Sequence, residues 1–149
     1  MKKVFLYARN GNKRNRKLAI PIENQLEIMK SFCKERWYEI VEEFYENPNN
    51  TKDQLNEEHK RLIDAIKNRN IENKGDKIDS VIVYSALRLC RDTAEAYEIQ
   101  LLIENEIVIF ESVSEYTWEG LSWKRILLNL LITAIYENLE KIEKQKRVR

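Results

Sequence analysis

Two short runs of apolar residues, KVFLYAR at 3–9 and DSVIVYS at 79–85, constrain this chain more than any other feature. Each is nearly continuous in apolar side chains. Such runs suit central strands of a parallel sheet, which are covered on both faces and show no polar alternation. Two further strands are predicted at YEIVEEFYE (38–46) and EIVIFES (106–112). The first of these is polar enough to be an edge. Helical spacing fills the intervals. Ile22, Leu26, Met29 and Phe32–Cys33 recur after Pro21, then Leu62, Ile63 and Ile66, then Thr93, Ala94, Tyr97, Leu101 and Leu102. Strands alternating with helices mean right-handed crossovers. The expected fold is therefore a three-layer α/β domain with a mainly parallel four-stranded sheet in the order 2-1-3-4. Only three glycines and two prolines punctuate the chain, so turns fall to Asn and Asp, as in NPNNTKDQLN (47–56) and NRNIENKGDK (68–77).

The last segment has a different pattern. From Gly120 to Arg149 there is no proline and no further glycine. Leu128, Ile132, Ile135, Leu139 and Ile142 step by four and three, a coiled-coil-like seam. Ile126, Leu127, Leu130, Leu131 and Ala134 lie around the other faces. A helix apolar on nearly every side buries more than one face. One face can cover its own sheet, and the other then needs a partner, most simply a second copy. Residues 1–119 are thus expected to form the α/β body, and 120–149 a long oligomerisation helix of the same structural unit.

Composition removes several classes of function. With 43% hydrophobic and 34% charged residues, the 149-residue chain can build one real core. A formal net charge of +1 gives no bulk signal for nucleic acid, so any basic patch is local. No apolar run reaches the roughly 18 residues of a membrane span, and the apolar start is too short for a signal peptide. Cys33 and Cys90 lack metal-type spacing and read as reduced packing residues of a cytoplasmic protein. Neither a metal nor a cofactor is expected.

Chemistry gathers at arginines. In an open parallel sheet, ligands bind outside the carboxyl ends of the strands. Arg9 ends the first strand, and Arg88 and Arg91 follow the third in SALRLCRD. If those strands are neighbours, three guanidinium groups converge where their forks could match phosphate oxygens. Pairing with some of the 25 acidic residues is the simpler use of such arginines.

The order of these pieces resembles the catalytic domain of the serine recombinases, the resolvase–invertase family. That family opens with Tyr-x-Arg-Val-Ser, and YARNG supplies Tyr7 and Arg9. Its Ser-Ile-x-x-Gln element is matched by PIENQ through Ile22 and Gln25. The 14 positions from Gly11 to Gln25 are the longer spacing of the large serine recombinases. Its Asp-Arg-Leu-x-Arg appears as LRLCR, keeping Arg88, Leu89 and Arg91. Its terminal helix, with Ala-x-x-Glu, is matched by AIYE at 134–137 after Gly120. The resemblance covers essentially the whole chain and implies a serine that attacks a DNA phosphodiester while arginines stabilise the developing charge. It implies phosphate or DNA contacts at Tyr7, Arg9, Gln25, Arg88 and Arg91.

The departures are chemical. Ungapped, Gly11 occupies the nucleophile position, and its neighbours Asn10 and Asn12 cannot form a stable phosphoester. Leu87 stands where the family has aspartate. The family's Ser-Gly after the second strand falls on Asn50-Thr51, and an arginine falls on Asn56. Read on its own, Gly11 is a turn residue free to take positive φ. Gln25 either binds phosphate or caps local backbone. His59, among charges, is expected on the surface. Ser85 is a strand-end serine with no activating base beside it.

The basic stretches NGNKRNRK (10–17) and KIEKQKRVR (141–149) suit weak, salt-sensitive phosphate contacts. No separate DNA-binding domain is expected. The resemblance with its departures implies a catalytically degenerate recombinase subunit, regulatory or assembling. It would form a homodimer or higher oligomer, or a heteromer with an active recombinase, and touch DNA weakly or through that partner. An active subunit with a displaced nucleophile, and a non-enzymatic protein binding a phosphorylated ligand, are the rivals.

Overall fold

The computed structural model describes residues 1–10, 20–46, 54, 56–85, 88–114, 132 and 143. Seven elements follow one another: β1 (Lys3–Ala8), α1 (Ile22–Glu35), β2 (Glu39–Tyr45), α2 (Glu57–Asn70), β3 (Ser80–Val83), α3 (Thr93–Glu104) and β4 (Ile109–Ser112). The four strands form one sheet in the order β2-β1-β3-β4, every pair parallel. This is the expected topology. β1 sits between partners from far along the chain, with Val4 opposite both Ile40 and Ser80, and Tyr7 opposite both Phe44 and Val83.

The two faces of β1 explain its unbroken apolar run. Successive side chains point to opposite sides of a strand. Phe5 and Tyr7 enter one core, with Leu62, Ile63 and Ile66 of α2 and Ile99 of α3. Val4, Leu6 and Ala8 enter the other, with Met29 and Cys33 of α1. Both sides are buried, so β1 itself shows no polar alternation. The cysteines are free, and Cys33 is buried as a packing residue. β2, at the sheet edge, keeps most of its residues only half-buried, in line with its polar sequence.

The inward face of α3 differs from expectation. Tyr97 is 59% exposed, and the helix turns Glu95, Ala96, Ile99 and Leu102 inward instead. The cause lies at its first turn. Asp92 caps the helix by accepting from the Glu95 backbone N–H at 2.9 Å, which fixes the helical phase and carries the Glu95 side chain inward. Among the described residues, no helix is long and apolar enough to cross a membrane.

Several expectations fall outside the described residues: Gly11 and Asn12, Asn50-Thr51, Leu87, Gly120, the two basic stretches apart from Asn10 and Glu143, and the seam residues Leu128, Ile135, Leu139 and Ile142. Of the seam, Ile132 is described, and it is helical and half exposed.

Candidate functional site

The parity of β1 continues one residue past its end. Arg9 lies on the same side as Phe5 and Tyr7, toward α2 and α3, and is 8% exposed. Its Nη1 reaches Glu95 Oε1 of α3 at 3.5 Å. Arg88 enters from the turn after β3, where its backbone N–H donates to the Ser85 carbonyl at 3.0 Å. Burial, and the positive charge of Arg9 beside it, together push the Arg88 guanidinium below its ordinary range. Two cations thus lie close enough to repel at the carboxyl edge of the sheet's two central strands. Arg9 Nε and Arg88 Nη1 are both buried and without a hydrogen-bond acceptor. Buried cationic donors without partners are costly, and they mark a place suited to an anion.

Arg91 is used differently. Its Nη2 pairs with Glu46 Oε1, just beyond the end of β2. Its backbone N–H donates to Glu95 Oε1 at 2.6 Å. Since β1 lies between β2 and β3, this side chain bridges over the tip of β1. Glu46 and Glu95 are each 5% exposed, and each keeps one carboxylate oxygen unpaired. Burial raises the Glu95 carboxyl above its ordinary range, against the lowering effects of the Arg91 N–H and the Arg9 charge. The edge is therefore a mixed-charge layer, with three guanidinium groups and two buried carboxylates that orient two of them.

The remaining predicted residues, Gln25 and Tyr7, lie beside the end of β1. Gln25 is fully buried on α1, and its Nε2 donates to the Arg9 carbonyl at 2.9 Å and to the Ile20 carbonyl at 2.8 Å. Both amide hydrogens are thereby engaged in fixing the backbone where β1 ends. Tyr7 is buried, and desolvation raises its phenol. Its ring meets His59 edge-on, 5.7 Å between centroids.

His59 corrects the surface expectation. It is 2% exposed, with Nε2 3.0 Å from the Leu89 carbonyl. Burial drives its imidazole down to about 4, so it is neutral at pH 7. The signal was available, because His59, Leu62, Ile63 and Ile66 fall at i, i+3, i+4 and i+7, one helical stripe. Glu95 was also legible, as the fourth residue of the Asp92-Thr93-Ala94-Glu95 capping pattern. Glu46 carried no local signal, since its partner lies 45 residues away. Burial pushes the Cys90 thiol up to about 12, which leaves it unreactive. Among the described residues, no group of His, Cys, Asp or Glu could hold a metal ion.

A parallel α/β sheet of this kind is an architecture that many unrelated functions share. The match is more specific than that: residues 4–149 fit the family described as Resolvase, N terminal domain, and the chain belongs to that family. A search of curated proteins gave no significant match. Among solved structures, the chain is similar to a resolvase family site-specific recombinase from Streptococcus pneumoniae. That likeness has a TM-score of 0.68 and 21% identity, covering 99% of this chain and 94% of the other. It is also similar to the N-terminal catalytic domain of TP901-1 integrase, with a TM-score of 0.61 and 22% identity, covering 95% and 99%. The C-terminal catalytic domain of ISC1926 TnpA, an IS607-like serine recombinase, follows at 0.52 and 20%, covering 94% and 85%. At these identities the likeness establishes the fold, which all three share with this domain.

Proposed function

We propose that this domain holds a DNA phosphodiester at the Arg9–Arg88 edge and acts in site-specific recombination without cutting the strand itself. The observation that carries this reading is a buried Arg9 beside a partly buried Arg88, each with a buried N–H that has no acceptor. An anion with several oxygens satisfies both donors and relieves the repulsion between the two cations. Strand cutting in the family needs a serine, and Gly11 stands at that position in YARNG. A glycine offers no oxygen for a phosphoester. The domain then serves as a regulatory or assembly subunit, paired with a second copy or with an active recombinase through Leu128, Ile132, Ile135, Leu139 and Ile142.

The test is trapping on a nicked suicide substrate, read as a covalent protein–DNA adduct. Wild type is expected to give none. Gly11→Ser alone is expected to recover little, because Leu87 also replaces the family's aspartate. An adduct on wild type overturns the non-cutting reading and directs attention to Ser85, whose carbonyl bonds the Arg88 N–H. Nucleotide binding in the absence of DNA, without DNA binding, overturns it in favour of a small phosphorylated ligand. Sedimentation equilibrium tests the assembly. Ile135→Glu with Leu139→Glu is expected to give monomers from a wild-type dimer, since the contact would then bury unpaired charge.

A further inference from the structure

His59 is the only histidine in the chain, and it is buried in a stripe whose other members, Leu62, Ile63 and Ile66, are apolar. Its ring fills space between α2 and the turn that carries the arginines. Nε2 is 3.0 Å from the Leu89 carbonyl, and Leu89 stands between Arg88 and Arg91. A carbonyl oxygen only accepts, so Nε2 carries the hydrogen and, in the neutral ring, Nδ1 does not. Tyr7 meets the ring from the β1 side at an interplanar angle of 83°. Three charged groups of neighbouring elements face the imidazole: Arg9 from the end of β1, and Arg91 and Asp92 from the start of α3. One turn earlier, Asn56 Nδ2 donates to Asp92 Oδ2 at 3.2 Å. The first turn of α2 therefore ties down the arginine turn at two points, Leu89 and Asp92.

A turn with few regular backbone bonds drifts unless something outside it holds a carbonyl or an N–H. The turn here must keep Arg88 beside Arg9 against their mutual repulsion. Forked guanidinium–phosphate bonds lose strength when the fork is displaced by about an ångström. We propose that His59 is a positioning residue of the arginine edge, its Nε2–H holding the Leu89 carbonyl so that Arg88 and Arg91 keep their places relative to Arg9. This inference rests on the edge being a phosphodiester site.

The experiment measures binding to a short random-sequence DNA duplex at low salt, alongside thermal melting, for wild type, His59→Leu, His59→Gln and Arg88→Ala. His59→Leu keeps the apolar volume and loses the donor. It is expected to fold and to bind about tenfold more weakly, the scale of one hydrogen bond. His59→Gln places an amide N–H near the same point and is expected to recover most of that loss. Arg88→Ala reports on the edge itself. If Arg88→Ala weakens binding while His59→Leu does not, the positioning role is overturned and the site stands. If Arg88→Ala has no effect, the site reading itself fails. Equal weakness of the Leu and Gln variants overturns the role of the donor. The imidazole nitrogen spectrum of labelled wild type decides independently of any variant's folding. A protonated Nε2 and bare Nδ1 are expected, and the opposite tautomer overturns the proposal.

Discussion

The two ends of the sheet treat polar groups in opposite ways. At the amino edge, Asn70 of α2 donates to the Ile78 and Ile107 carbonyls at 2.9 and 2.8 Å and accepts from the Ile78 N–H at 2.8 Å. Asp79 accepts from the Lys3 N–H at 2.8 Å, and Lys3 pairs with Asp76. Only the Ser80 hydroxyl, a neutral group, goes unpaired among the first residues of β3. At the carboxyl edge, Arg9 Nε, Arg88 Nη1, Glu46 Oε2, Glu95 Oε2 and Gln25 Oε1 are all buried and unpaired. The sheet and its helices are continuous between these ends, so quality of folding does not separate them. Satisfied polar groups hold a fold in place, whereas charged groups left unsatisfied suit a ligand that arrives later.

That contrast can be broken experimentally, and the amino edge offers the largest effect. Asn70→Leu strands one N–H and two carbonyls, and unfolding by urea is expected to show a loss of about 4 kcal/mol. DNA binding by the folded fraction should be unchanged. A comparable loss of binding would mean that the two ends are not independent.

Acid acts on the carboxyl side through His59. Its folded imidazole titrates at about 4 against an ordinary 6.5, so the unfolded chain takes up the proton first as pH falls. This part of the stability is complete above about pH 6.5 and is lost toward pH 4, on the order of 3 kcal/mol. Glu95 works the other way, because its raised carboxyl binds a proton more readily in the folded state as pH falls. Melting across that range should show a slope for wild type that His59→Leu largely removes. An unchanged slope would place the acid sensitivity elsewhere.

Arg88→Ala sharpens the comparison from the opposite direction. It removes a partly buried cation with one unpaired N–H, so stability should hold or rise slightly while DNA affinity falls roughly tenfold, the scale of one forked phosphate contact. A clear loss of stability would show that Arg88 is structural. The smallest effect belongs to neither edge. Arg61 pairs with Glu42 at 3.0 Å and Glu58 at 3.3 Å in largely exposed surroundings. Arg61→Ala is expected to change stability by no more than about 0.5 kcal/mol and to leave binding alone.

Legibility in the sequence followed the range of the interactions. The central strands were readable because burial on both faces leaves an uninterrupted run, as in KVFLYAR. The α2 stripe was readable too, although assigning His59 to the surface ignored its place in that stripe. The face of α3 was misjudged because the apolar Tyr97 and Leu101 suggested one phase and the Asp92 cap set another. The arginines could be found from their motifs, but the carboxylates that orient them could not. Glu46 meets Arg91 only after β2 and the start of α3 have been brought to opposite sides of the β1 tip.

The central place of β1 also has a consequence for how the chain reaches this fold. β1 precedes every other strand in sequence, yet its neighbour β3 pairs with it from far along the chain, Val4 lying opposite Ser80. During synthesis at about 5–20 residues per second, its two bare edges wait several seconds for their partners. Its apolar side chains and unpaired backbone are meanwhile a template for another chain. Assembly of such distant parallel pairs is slow, because loops must close before any strand pairing rewards them. Yield from expression should therefore respond to chaperone supply and growth temperature more than the finished domain's thermal stability would suggest.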